Sequence, residues 1–202
     1  VAPYEPTRDT RQQLLEKARD ILVAEGLEGL SMRKVASACD LSAPAIYRHF
    51  ADKDHLLSAA VAEGARLFSH YLLGALTEPT PFSRLKKLGE RYFDFALEHP
   101  KDYELLFVVN CRALGLERLD ERAQAETSAS FRILVDRVAE CQAAGELRAG
   151  PLEPTAVYIW SSVHGFASLA LSGHLSQEGQ ALRDLFAVHQ DLLLGGLQPA
   201  SP

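Results

Sequence analysis

Tyr47, Arg48 and His49 stand in a row and Lys53 follows, so a phenolic hydroxyl and three basic side chains gather within seven residues. Arg, Lys and protonated His make charge-assisted hydrogen bonds to anionic oxygens, and a Tyr hydroxyl adds a neutral one. The set therefore suits the holding of phosphates and lacks the paired groups of a turnover site. Arg33, upstream, adds a fifth candidate. Just before this cluster, Ser42, Ala43, Pro44 and Ala45 bear no bidentate donor.

Catalytic patterns are missing from the sequence. It holds no GxSxG, HExxH, GxGxxG or P-loop run, and its seven histidines form no metal-ligand pairing with carboxylates. Cys39, Cys111 and Cys141 are widely spaced with no CxxC pair, which argues against a disulfide framework or structural zinc. Neither an enzyme nor a cofactor or metal requirement is expected. A second set of residues points to binding of another kind. Trp160 and His164 lie at i and i+4, so they share a helix face, and Gly165 next to them admits a close neighbour. Aromatic walls with one polar group are the usual small-molecule arrangement. Phe93, Tyr103, Phe107, Cys111, Phe131, Trp160 and His164 are the candidates, with plain core packing the alternative for each.

The elements that would position these residues read as helices throughout. Leu14, Ala18, Ile21 and Leu22 recur at helical spacing and predict a first helix from about Thr7 to Glu25, ended by Gly26 and Gly29. Ser31 caps a second short helix and Ser42 a third running through Phe50, separated by a turn at Asp40, a residue that tolerates positive φ. Small Ala36 at the crossing, with Val35, Leu41, Ile46 and Phe50 facing one core, makes a helix-turn-helix. Asp52 caps a long fourth helix that fades in the linker-like Thr77–Pro81 stretch. Periodic stretches near 82–98, 101–114, 120–144, 154–173 and 178–196 follow, giving about nine helices and no competing strand signal.

Residues 154–177 contain no Asp, Glu, Lys or Arg. A membrane span would leave Ser161, Ser162, His164, Ser168, Ser172 and His174 in lipid at high cost, so burial in protein is the better reading. Leu182, Leu185, His189, Leu192 and Gly196 follow a heptad-like spacing, widened by Phe186 and Leu193. Two adjacent helices with surplus apolar surface, about 154–173 and 178–196, predict a homodimer through a four-helix interface, the alternative being an intrachain core stripe.

The net charge is −6 over 202 residues, awkward for a phosphate binder until it is placed. Residues 1–55 hold eight Lys/Arg against nine Asp/Glu, so the acidity is mostly C-terminal. No apolar run follows a basic start at the N-terminus, and with the cysteine usage this predicts a cytoplasmic setting.

Over about residues 8–60 the chain resembles the TetR family of bacterial repressors. The residues that carry this are Glu25-Gly26, Ser31, Ala36, Leu41-Ser42, Tyr47-Arg48-His49-Phe50, and Phe50, Lys53 and Leu56, while Asp40 stands where the family often has Gly. Ala96 to Tyr103 and Trp160 to Gly165 resemble TetR-type proteins with a Trp-x-x-x-His-Gly C-terminal domain. The resemblance implies an all-α fold, with a three-helix DNA-binding domain over 1–55 and a helical ligand-sensing and dimerisation domain over 56–202. It also implies a regulator of palindromic operator DNA, released by a small-molecule effector. Tyr47, His49 and Lys53 match the family's phosphate clamps, Arg33 lies near the start of the supporting helix, and Ser42 to Ala45 match its base-facing positions.

Overall fold

The computed structural model describes residues 10–108 and 119–199. The first helix, α1 (Thr10–Gly29), buries Leu14, Leu15, Ala18, Ile21 and Leu22, and breaks at Gly26, whose φ of 68° and ψ of −169° leave the helical region. The expected stop after Glu25 is where the chain turns; the expected start at Thr7 lies outside the described residues. Ser31 caps α2 (Met32–Ala38) by accepting from the Lys34 backbone N–H at 3.2 Å. Asp40 takes φ 55° in the following turn, as its short polar side chain allows.

The third helix, α3 (Ala43–Ile46), is shorter than the sequence suggests. Instead of running to Phe50, the chain tightens: Arg48 N–H donates to Ala45 O at 3.2 Å and His49 N–H to Ile46 O at 2.9 Å. These i→i+3 bonds turn Phe50 into the core, where it is wholly buried. Asp52 then caps α4 (Lys53–Leu73), its Oδ1 accepting from His55 N–H at 2.8 Å.

A 3₁₀ turn at Gly74–Thr77 leads to α5 (Pro81–Glu98), closed by a Thr80–Ser83 capping box, so the linker-like Pro/Thr stretch is a helix cap. α6 (Pro100–Tyr103) continues into a π-helical turn, Glu104–Val108. α7 (Glu121–Ala143), α8 (Leu152–Leu171) and α9 (Gly179–Gly195) complete the described helices, which include no strand among them.

The described residues pack as two compact units, and their division differs from the expected break after residue 55. The first unit takes 10–66 together with 101–108 and 119–127; the second takes 67–100 and 128–199. Leu105, Leu119 and Ala123 join Leu14, Leu22, Val35, Ile46, Phe50 and Leu57 in one core. Polar ties reinforce this: Arg19 Nη1 meets the buried Asp102 carboxylate at 2.7 Å, and Ser58 Oγ accepts from Asp120 N–H at 3.1 Å. A unit this small has little core of its own, and these segments add to it.

In the second unit Phe93 stacks on Phe186 at 4.3 Å between centroids, and Phe166 meets both edge-on. α8 and α9 each carry a second, outward apolar face. On α8 it holds Val157, Tyr158 and Leu169 around Ser161 and Gly165, where an added Cβ would meet open space. On α9, Val188 is 55% and Leu192 73% exposed.

Candidate nucleic-acid interface

Between α2 and α3 the backbone closes on itself, Leu41 N–H donating to Ala36 O at 2.9 Å, while Val35, Ala36 and Ile46 point into the core. That leaves Ser42, Ala43 and Pro44 exposed at the tip of α3 and Ala45 half-buried beside them. Ser42 makes no side-chain cap bond, so its hydroxyl is not committed to the helix start. Tyr47 is 56% exposed, a costly position for an aromatic ring unless it meets something. Arg33 and Arg48 are exposed and His49 half-buried.

Lys53 is placed differently from a free cation. Its Nζ donates to the Leu27 carbonyl at 2.7 Å and so ties the start of α4 to the end of α1, just past its break at Gly26. A neutral carbonyl holds the ammonium without cancelling its charge. Two more cations belong to this unit's surface. Arg11 lies 5.2 Å over the Phe50 ring, a cation–π contact, and Lys34 is paired with Glu25. Only the fold brings Arg11 over Phe50. His55 supports the cap: its Nδ1 accepts from Ala51 N–H at 3.2 Å and its ring meets Phe50 edge-on at 5.6 Å.

The candidate small-molecule residues are divided between the units. Tyr103 and Phe107, 5.4 Å apart, belong to the first; Cys111 lies outside the described residues. Phe131, Trp160 and His164 come together in the second, with centroids 6.0 Å and 6.2 Å apart along the chain of contacts. His164 Nδ1 shares a 2.9 Å hydrogen bond with Tyr92 Oη, and burial pushes its pKa down. Phe93 is core, 1% exposed. Burial likewise pushes the Cys141 thiol up to about 12, leaving it inert, and the Glu98 carboxylate bonded to Tyr71 raises that phenol to about 12. A cleft of about 310 Å³ between Leu147, Pro151, Pro154, Tyr158 and Leu197 uses none of the expected ligand residues. Among the described residues no group of His, Cys, Asp and Glu could hold a metal ion, and no helix is long and apolar enough to cross a membrane.

Comparison with known proteins fits this geometry. Residues 14–60 match the family described as bacterial regulatory proteins, tetR family, and residues 85–193 match the tetracyclin repressor-like C-terminal domain. The chain belongs to the TetR family, a family of transcription regulators and not of enzymes. It is 34% identical over 82 residues to the HTH-type transcriptional repressor KstR of Mycobacterium tuberculosis, covering 40% of this chain and 37% of that protein. It is 27% identical over 192 residues to the repressor AcnR of Corynebacterium efficiens, covering 89% of this chain and 90% of that one. The chain spans half or less of several curated relatives, 37% to 50% of their length. A solved structure from Rhodococcus sp. RHA1, of unknown function, superposes with a TM-score of 0.78 at 28% identity, covering 98% of this chain and all of that one.

Proposed function

We propose that this protein is a transcriptional repressor that grips operator DNA as a homodimer and lets go when a small molecule occupies its second unit. The observation that carries the reading is the exposed tip of α3, whose small residues Ser42 to Ala45 are flanked by the outward Tyr47, Arg48 and Arg33. A tip this slim fits a major groove, and its neighbours suit the phosphates on either side. KstR and AcnR carry repressor in their names, which supports the direction of control. Base reading by Ala43, Pro44 and Ala45 rests on methyl contact and DNA shape.

The outward apolar faces of α8 and α9 support pairing with a second copy. Ala181, Leu185, Val188, Leu192 and Gly195 run along α9 at i, i+4, i+7, i+11 and i+14, a coiled-coil-like seam of unpartnered surface. Gly165 and Ser161 let a facing helix come close. Paired chains present two α3 tips to successive major grooves about 34–36 Å apart on a near-palindrome.

For the effector, Phe131, Trp160 and His164 are the residues that support an aromatic wall with one polar group. α4, whose residues are shared between the two units, is the connection through which occupancy shifts the population away from the DNA-competent state. Titrating labelled duplex with wild type and with Arg48→Gln tests the reading. Nanomolar, salt-sensitive binding that weakens in the variant supports it; equal or absent binding in both overturns it.

A further inference from the structure

Lys34 lies in the first turn of α2 beside exposed Arg33, and its ammonium is paired with the Glu25 carboxylate at the end of α1's regular turns. Both side chains remain well exposed, at 43% and 46%. Two positions along from Glu25, the Leu27 carbonyl accepts from Lys53 Nζ at 2.7 Å. Cations from two different helices are thus drawn to one turn, and their anchor residues are at most ~7 Å of extended chain apart.

The two acceptors differ in kind. Leu27 offers a neutral carbonyl, so Lys53 keeps its full charge for a phosphate. Glu25 offers a carboxylate, so the charge of Lys34 is locally cancelled and releases no counterion from DNA while the pair holds. An exposed ion pair of this sort shifts an equilibrium by only roughly twofold to fivefold, weak enough to exchange partners. Charge near the reading head is scarce, since residues 1–55 carry no net positive charge, so one carboxylate placed against one lysine alters its balance appreciably.

We propose that Lys34 is an additional phosphate-binding residue of this face and that Glu25 competes with DNA for it, thereby setting how tightly the protein grips any duplex. This rests on the DNA-binding reading above. Phosphate contacts carry no sequence information, so Glu25 trims specific and non-specific binding alike and leaves their ratio unchanged.

The test measures fluorescence anisotropy of a labelled duplex, first selected from a random pool by the wild-type protein, across a salt series, with a scrambled duplex in parallel. The proteins are wild type, Glu25→Gln, Lys34→Gln and the double variant, each checked for an unchanged melting curve. Glu25→Gln is expected to bind both duplexes about twofold to fivefold more tightly at low salt. Its slope of log affinity against log salt should steepen by about 0.9, the value of one extra phosphate contact. In the Lys34→Gln background the same change should give neither effect. An unchanged Glu25→Gln affinity, or an equal gain in both backgrounds, overturns the proposal while leaving the DNA-binding reading intact. Wild type that binds no duplex overturns both.

Discussion

By resemblance Tyr47 and Lys53 are both candidate phosphate clamps, yet they sit in different surroundings, and that separates what their loss should do. Tyr47 is 56% exposed, with no hydrogen bond from its hydroxyl among the described residues. Tyr47→Phe should therefore weaken duplex binding by about 0.5–1.5 kcal/mol, one hydrogen bond's worth, without moving the melting temperature. Lys53→Met should flatten the salt slope by about 0.9 and also lower the melting temperature, because the Leu27 carbonyl loses its donor. Anisotropy paired with thermal melts checks both; a destabilised Tyr47→Phe or a neutral Lys53→Met would contradict the assignment. The phosphate-suited cluster is a reading of residue type and spacing, and the fold leaves Tyr47 and Arg48 exposed and His49 half-buried. The Lys53 to Leu27 tie was not legible in the sequence, since it joins positions 26 residues apart that only the folded turn brings together. The same holds for Arg11 over Phe50 and Lys34 against Glu25.

At the scale of helices, periodicity located most boundaries to within a few residues, because an apolar stripe and a cap are local signals. It failed at α3, where the demand to bury Phe50 cuts the helix short, and it carries no information on which helices pack into one unit. Leu105, Leu119 and Ala123 pack into the core of the first unit, and no local signal tells an apolar helix face which core it serves. Phe93 makes the same point: its aromatic type left both ligand contact and core packing open, and it is buried in a stack on Phe186. Phe93→Ala should cost about 3–5 kcal/mol of stability in denaturant unfolding, far more than loss of a ligand contact in an open wall would.

His164 and His189 add a pH dependence with a definite sign. Burial lowers both below the ordinary 6.5, so the unfolded chain takes up protons first as pH falls. Their contribution is fully present above about pH 6.5 and is lost as pH drops from there toward the folded-state values. Melting temperature should thus fall on acidification below that point, and less steeply in His189→Asn; an increase on acidification would contradict the burial argument.

For the whole molecule, the heptad-like spacing in the last helix predicted surplus apolar surface but mixed two faces. Leu182, Phe186 and Leu193 turn out to be buried within the chain, whereas Leu192 is 73% exposed and lines up with Ala181, Leu185, Val188 and Gly195. Hydrophobicity along a sequence does not say whether the covering partner is the same chain or another. Leu192→Glu is expected to shift the protein from dimer to monomer in sedimentation at micromolar concentration, with far-UV helicity retained. Leu182→Glu should unfold it instead. An unaltered dimer in Leu192→Glu would move the interface elsewhere.

Whether this face reads duplex DNA as a symmetric pair is best measured by selecting bound sequences from a random duplex pool and aligning the winners. Two inverted half-sites with centres about one helical turn, 34–36 Å, or a multiple of it apart are the expected result. A pool that fails to enrich, or enriched sites lacking inverted symmetry, would contradict the account.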